Sequence, residues 1–96
     1  MGQGLHYLRV AVIEALTLPV AIQNALLSDP KVTGLSDPER RELIYLARAG
    51  TRDLKILAAR RLAGEIHYPD AQNTLNQLRY DSDPWVRAVV IADRSG

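Results

Sequence analysis

Leu75-Asn76-Gln77-Leu78-Arg79-Tyr80-Asp81-Ser82-Asp83-Pro84-Trp85-Val86-Arg87-Ala88 closes one helix, turns, and opens another. Leu75 and Leu78 stand one turn apart, as the apolar stripe of an amphipathic helix requires. Asp81-Ser82-Asp83-Pro84 then supplies carboxylates able to cap a new helix, and a proline suited to its first turn, where the missing N–H has no intrahelical partner. Advancing the chain by 32 positions, the separation of Leu43 from Leu75, lays Leu43 and Leu46 on Leu75 and Leu78. It also lays Asp53-Leu54-Lys55-Ile56 on Trp85-Val86-Arg87-Ala88, so that Lys55 meets Arg87. A period of this length decides the architecture, because each unit then buries its apolar stripe against its neighbours in sequence.

The same punctuation by Pro, Gly, Ser, Thr and Asp predicts helices throughout the chain. The first covers about Leu5 to Leu16, and a second follows Thr17-Leu18-Pro19 and runs to about Leu27. Ser28 to Leu35 holds two helix breakers and is the longest connection, where mobility is expected. Ser36-Asp37-Pro38-Glu39 has the pattern of a capping box and starts a third helix that ends at Ala49. Gly50 is expected in the left-handed conformation, with Thr51 capping a fourth helix over about Arg52 to Glu65. A fifth is predicted over about Asp70 to Tyr80 and a sixth over about Pro84 to Arg94. No segment alternates in polarity long enough for a strand. The expected fold is one all-α domain over residues 1–96, a short α-solenoid of three antiparallel helical hairpins. A degenerate hairpin at about 5–28 precedes repeats at about 36–66 and 69–94.

Two stretches carry a resemblance to a known family. Leu75-Asn76-Gln77-Leu78 followed by Asp81-Ser82-Asp83-Pro84-Trp85-Val86-Arg87 resembles the helix, Asp-Pro turn, Val-Arg, helix pattern of HEAT repeats. Lys55-Ile56-Leu57-Ala58-Ala59-Arg60-Arg61-Leu62-Ala63 resembles the Ala-rich second helix of the short HEAT-like repeats in phycobilisome lyases. The preceding repeat departs from the pattern, with Gly50-Thr51-Arg52-Asp53 in place of the Asp-Pro turn and Lys55 in place of Arg. The resemblance spans about Ser36 to Arg94 and implies an α-α superhelix that presents a surface to another protein. It also implies an alternative role, as an accessory factor of a phycobilisome-lyase-like or other cofactor-protein assembly.

Composition narrows the chemistry. The 96 residues are 47% hydrophobic and 24% charged, which is too apolar for a disordered segment. No apolar run approaches the roughly 20 residues that span a bilayer. There is no cysteine, hence no disulfide, thiolate nucleophile or cysteine-ligated metal. Nothing at the N-terminus resembles a charged export leader, and the sixth residue, His6, is not the Ser or Thr of a myristoylation signal, so a cytoplasmic location is expected. His6 and His67 are far apart and have no two-histidine metal spacing. No nucleophile elbow, phosphate loop or dinucleotide fingerprint is present, so the expectation is a non-enzymatic chain without cofactor or metal.

The candidate contact residues are Arg52, Lys55, Arg60, Arg61, Trp85 and Arg87. Asp81 or Asp83 is expected to cap the sixth helix, with Arg87 bridging back to a turn carboxylate and Lys55 reaching an Asp of the next turn. Residues 39–65 hold seven Arg and Lys against four Asp and Glu, a local balance of +3 within a chain of net charge +1. On a helical wheel Arg60 and Arg61 share the face opposite the Ala-rich side and are expected in solvent. Phosphate-backbone binding through this basic hairpin is a third functional class, disfavoured by the low net charge and the lack of a stacking platform. The sixth helix is the anomaly: Trp85, Val86, Ala88, Val89, Val90, Ile91 and Ala92 cover almost its whole circumference. Either a second chain covers part of it, or the preceding hairpins wrap it. A broad apolar first helix adds to the expectation of self-association or docking onto a larger protein.

Overall fold

The computed structural model describes residues 17–95. The helix expected over Leu5 to Leu16, and His6 with it, lies outside the described residues. Every regular element among them is helical: α1 (Val20–Leu27), α2 (Asp37–Ala49), α3 (Arg52–Leu62), a 3-10 turn (Ala63–Glu65), α4 (Pro69–Leu78) and α5 (Pro84–Ser95). No helix among the described residues is long and apolar enough to cross a membrane.

The helix boundaries follow local chemistry. At the start of α2 the Glu39 N–H donates to Ser36 Oγ at 3.3 Å and the Ser36 N–H donates to Glu39 Oε1 at 2.9 Å, completing the capping box. The Ser36 N–H above all, and the Ser36 hydroxyl after it, hold the Glu39 carboxyl below its usual value. Thr51 caps α3, and Asp83 Oδ1 caps α5 by accepting the Trp85 N–H at 2.9 Å.

Gly50 departs from expectation. Its φ of −77° and ψ of 176° are extended rather than left-handed. Thr51, the next residue, is already the extended cap of α3, so the chain must leave α2 straight. The requirement for glycine is instead spatial: a Cβ there would lie 2.5 Å from the Leu46 carbonyl oxygen. α3 is also shorter than expected, tightening after Leu62 into the 3-10 turn.

α2 packs most extensively on α3, and the short Gly50-Thr51 connection makes them an antiparallel pair. The next most extensive pairings are α3 with α5 and α2 with α4, so first helix meets first helix and second meets second. Burial repeats with the 32-residue shift. Leu43 and Leu75, Leu46 and Leu78, Leu54 and Val86, and Ala58 and Val90 are all buried, and they form one core with Leu57, Leu62, Ala47 and Ala71. α1 adds Ala25 and Leu26 at the other side of α2 and α3. A Cα radius of gyration of 12.2 Å is that of a compact chain of this length.

Leu43→Ala and Leu75→Ala, which empty equivalent core positions, are each expected to cost about 2–5 kcal/mol in denaturant melts. Tyr45→Ala on the exposed side of α2 is expected to stay within about 0.5 kcal/mol of the parent chain.

Candidate functional site

Three polar joints tie the helices together, and they use up much of the charge that the sequence offers. The first lies between the starts of α2 and α4. Arg40 Nε donates to both oxygens of Asp70, at 2.9 and 3.1 Å, and Nη1 donates to Asp37 Oδ1 at 2.8 Å. Its guanidinium carbon sits 3.9 Å from the centre of the Tyr68 ring. Burial works against the Arg40 cation, yet Asp70 and Asp37 outweigh it and strengthen its hold on the proton. Farther along the same helix pair, Arg48 Nη2 donates to Thr74 Oγ1 at 3.4 Å.

The second joint corrects a sequence expectation. Arg61 is not in solvent: it is only 3% exposed. Its Nε donates to Ser28 Oγ at 2.8 Å and its Nη2 to the Thr33 carbonyl at 2.6 Å, with Glu65 Oε1 3.9 Å away. The reason is the long connection between α1 and α2, which lies over this end of α3 and turns a wheel face into an interface. The connection is held from a second point as well, by the Leu35 N–H donating to the buried Glu65 Oε1 at 2.6 Å. Gly64 makes room for it, since a Cβ there would collide with the Pro30 ring.

The third joint holds α3 to the turn before α5. Lys55 Nζ donates to Asp81 Oδ2 at 3.0 Å, as the sequence implied, and Arg52 Nε approaches Asp83 Oδ2 at 4.0 Å. Asp81 Oδ1 accepts the Asp83 N–H at 2.8 Å. Arg87 Nη1 donates to the Asp81 backbone carbonyl at 2.6 Å rather than to a carboxylate as expected, because both Asp81 carboxylate oxygens are already engaged. Burial pushes the Asp81 carboxyl up, but the Asp83 N–H, the Lys55 ammonium and the Arg87 charge together carry it below its usual value of 3.8.

The six predicted contact residues therefore separate. Lys55 and Arg61 are structural, Arg87 is half-buried, and Arg52, Arg60 and Trp85 are exposed. The sequence reading missed Arg40, Asp70 and Glu65. A signal existed: each long-range side-chain bond of the three joints spans between 26 and 33 residues, close to one repeat period.

One side of α5 is buried and the other is accessible to solvent. Val86 and Val90 point into the core, whereas Trp85 is 44% and Ile91 49% exposed, with Ala88 and Ala92 also exposed between them. The described residues hold no cluster of His, Asp or Glu able to bind a metal. The cleft of about 210 Å³ beside Asn24, Ser28, Thr33, Leu35 and Glu39 has its main polar groups committed to the capping box and to Arg61. Searches against protein-family models, curated proteins and solved structures find no match for the chain.

Arg61→Ala is expected to cost about 2–4 kcal/mol, because it strands the Thr33 carbonyl and the buried Glu65, while Arg60→Ala is expected to be near neutral in the same melts. For Asp81 the folded-state value is depressed, so its contribution is present above 3.8 and is lost as pH falls through the folded value. Asp81→Asn is thus expected to be less stable at neutral pH by about 1–3 kcal/mol, with the gap to the parent closing in acid melts below the usual carboxylate range.

Proposed function

We propose that the chain is a HEAT-like helical-repeat module, a short α-solenoid without catalytic activity, whose role is to dock another protein on the solvent-exposed side of α5. The carrying observation is the exposed apolar arc of Trp85, Ala88, Ile91 and Ala92 on a helix whose Val86 and Val90 are buried on the other side. A half-exposed tryptophan beside aliphatic neighbours is the kind of group that anchors protein interfaces. The repeat reading draws support from the matched burial of Leu43 with Leu75, Leu46 with Leu78 and Leu54 with Val86, and from the pairing of α2 with α4 and α3 with α5.

The phosphate-backbone reading is weakened by the same geometry. Arg40, Lys55 and Arg61 are three of the seven basic residues of the middle hairpin, and all three are engaged inside the fold. No arrangement among the described residues favours the cofactor-assembly reading over plain protein docking.

Affinity capture from extract, repeated at low and high salt with the parent chain and with Trp85→Asp, tests the proposal. The expected result is a partner retained at high salt and lost with Trp85→Asp while the helical circular-dichroism signal is intact. A partner indifferent to Trp85→Asp, or binding that falls steeply with salt, would contradict it.

A further inference from the structure

The interior of the chain shows what one of its repeats presents to the next. On α3, Lys55 and Ala59 stand one turn apart on the side that faces the following turn: Lys55 holds Asp81, and Ala59 is buried. Thirty-two positions later the same side of α5 carries Arg87 and Ile91. Arg87 is half-buried and spends Nη1 on the Asp81 carbonyl, which leaves most of the guanidinium fork for another acceptor. Ile91, where α3 has the covered Ala59, is 49% exposed. The edge that takes an acidic turn and a helix in one repeat is therefore present, with a stronger cation and a larger apolar group, and uncovered in the next.

We propose that the occupant of α5 is a helical hairpin of a partner protein, seated one repeat further on, with a carboxylate in its inter-helix turn placed on Arg87 and an apolar helix face placed on Ile91. This rests on the docking role proposed above and names the partner's chemistry. A second copy of this chain does not fit the requirement, because its turn acids are already used. In the turn that would have to seat, Asp81 holds Lys55, and Asp83 lies against Arg52 and caps α5.

The chain itself supplies a probe. Since Ser95 corresponds to Ala63, appending a second copy of residues 64–95 directly after Ser95 of the full chain continues the register without a linker. The absence of cysteine makes a single Ile91→Cys in the original α5 a clean reporter of cover by thiol labelling. Labelling at that position is expected to be at least about tenfold slower in the extended chain than in the parent carrying the same cysteine, as for any group exposed only by local opening. Tyr45→Cys, on the exposed side of α2 and away from α5, is expected to keep its rate. Arg87→Gln, and separately Asp81→Asn made only in the appended copy, are each expected to restore fast labelling; the second leaves the original turn untouched. Unchanged labelling at Ile91→Cys, or equal slowing at Tyr45→Cys, would overturn the hairpin assignment. Either result would leave the broader docking role to stand or fall on Trp85→Asp alone.

Discussion

α3 must be buried from several sides at once, and the rest of the molecule is arranged to do it. Leu54, Leu57, Ala58, Ala59 and Leu62 leave it little wet surface, and α1, α2, α4 and α5 all pack on it. Ala58 and Ala59 are both buried in the core, and with α5 packed on α3 Asp81 lies 3.0 Å from Lys55. Apolar contact alone would permit neighbouring helices to slide by a turn, since leucine stripes are tolerant of register. The Lys55–Asp81 and Arg40–Asp70 pairs do not tolerate it, because a carboxylate taken away from its cation would leave a buried charge unmatched.

The polar joints are thus spacers as well as bonds. Each joins residues between 26 and 33 positions apart, and each sits where a helix starts or a turn ends: Arg40 with Asp70 at the first turns of α2 and α4, Lys55 with Asp81 before α5, and Arg61 at the connection behind α3. Their cost is specificity of surface. A chain with a basic middle hairpin in sequence presents much less free positive charge once folded, which directs attention away from Arg61 and Lys55 and toward Trp85 and its aliphatic neighbours.

Much of the helical plan was legible in the residues. The capping box at Ser36, the Thr51 cap, the prolines at 69 and 84 and the leucine pairs one period apart all describe local chemistry, and they mark the helices to within a few residues. The reach of Lys55 to the next turn was also readable, because it follows from where a helix start meets a carboxylate one repeat later. Arg61 was not. A helical wheel assigns faces of a single helix and knows nothing of a connection that folds back over it, so the Ser28–Leu35 segment, read as a loose loop, was the missing wall. Gly50 failed for a related reason: the capping demand of Thr51 overrode the usual helix ending. Arg40 and Glu65 escaped notice because the apolar period was traced and the charged one was not.

The account's central claim is that α3 is the element held by every other. Native-state hydrogen exchange, resolved residue by residue, measures this directly. The amides of Leu57 to Leu62 are predicted to exchange only through global unfolding, at the free energy given by denaturant melts, while α1 opens at lower cost. Exchange in α3 that is faster than in α2 and α4, through a local opening that leaves those helices protected, would contradict it.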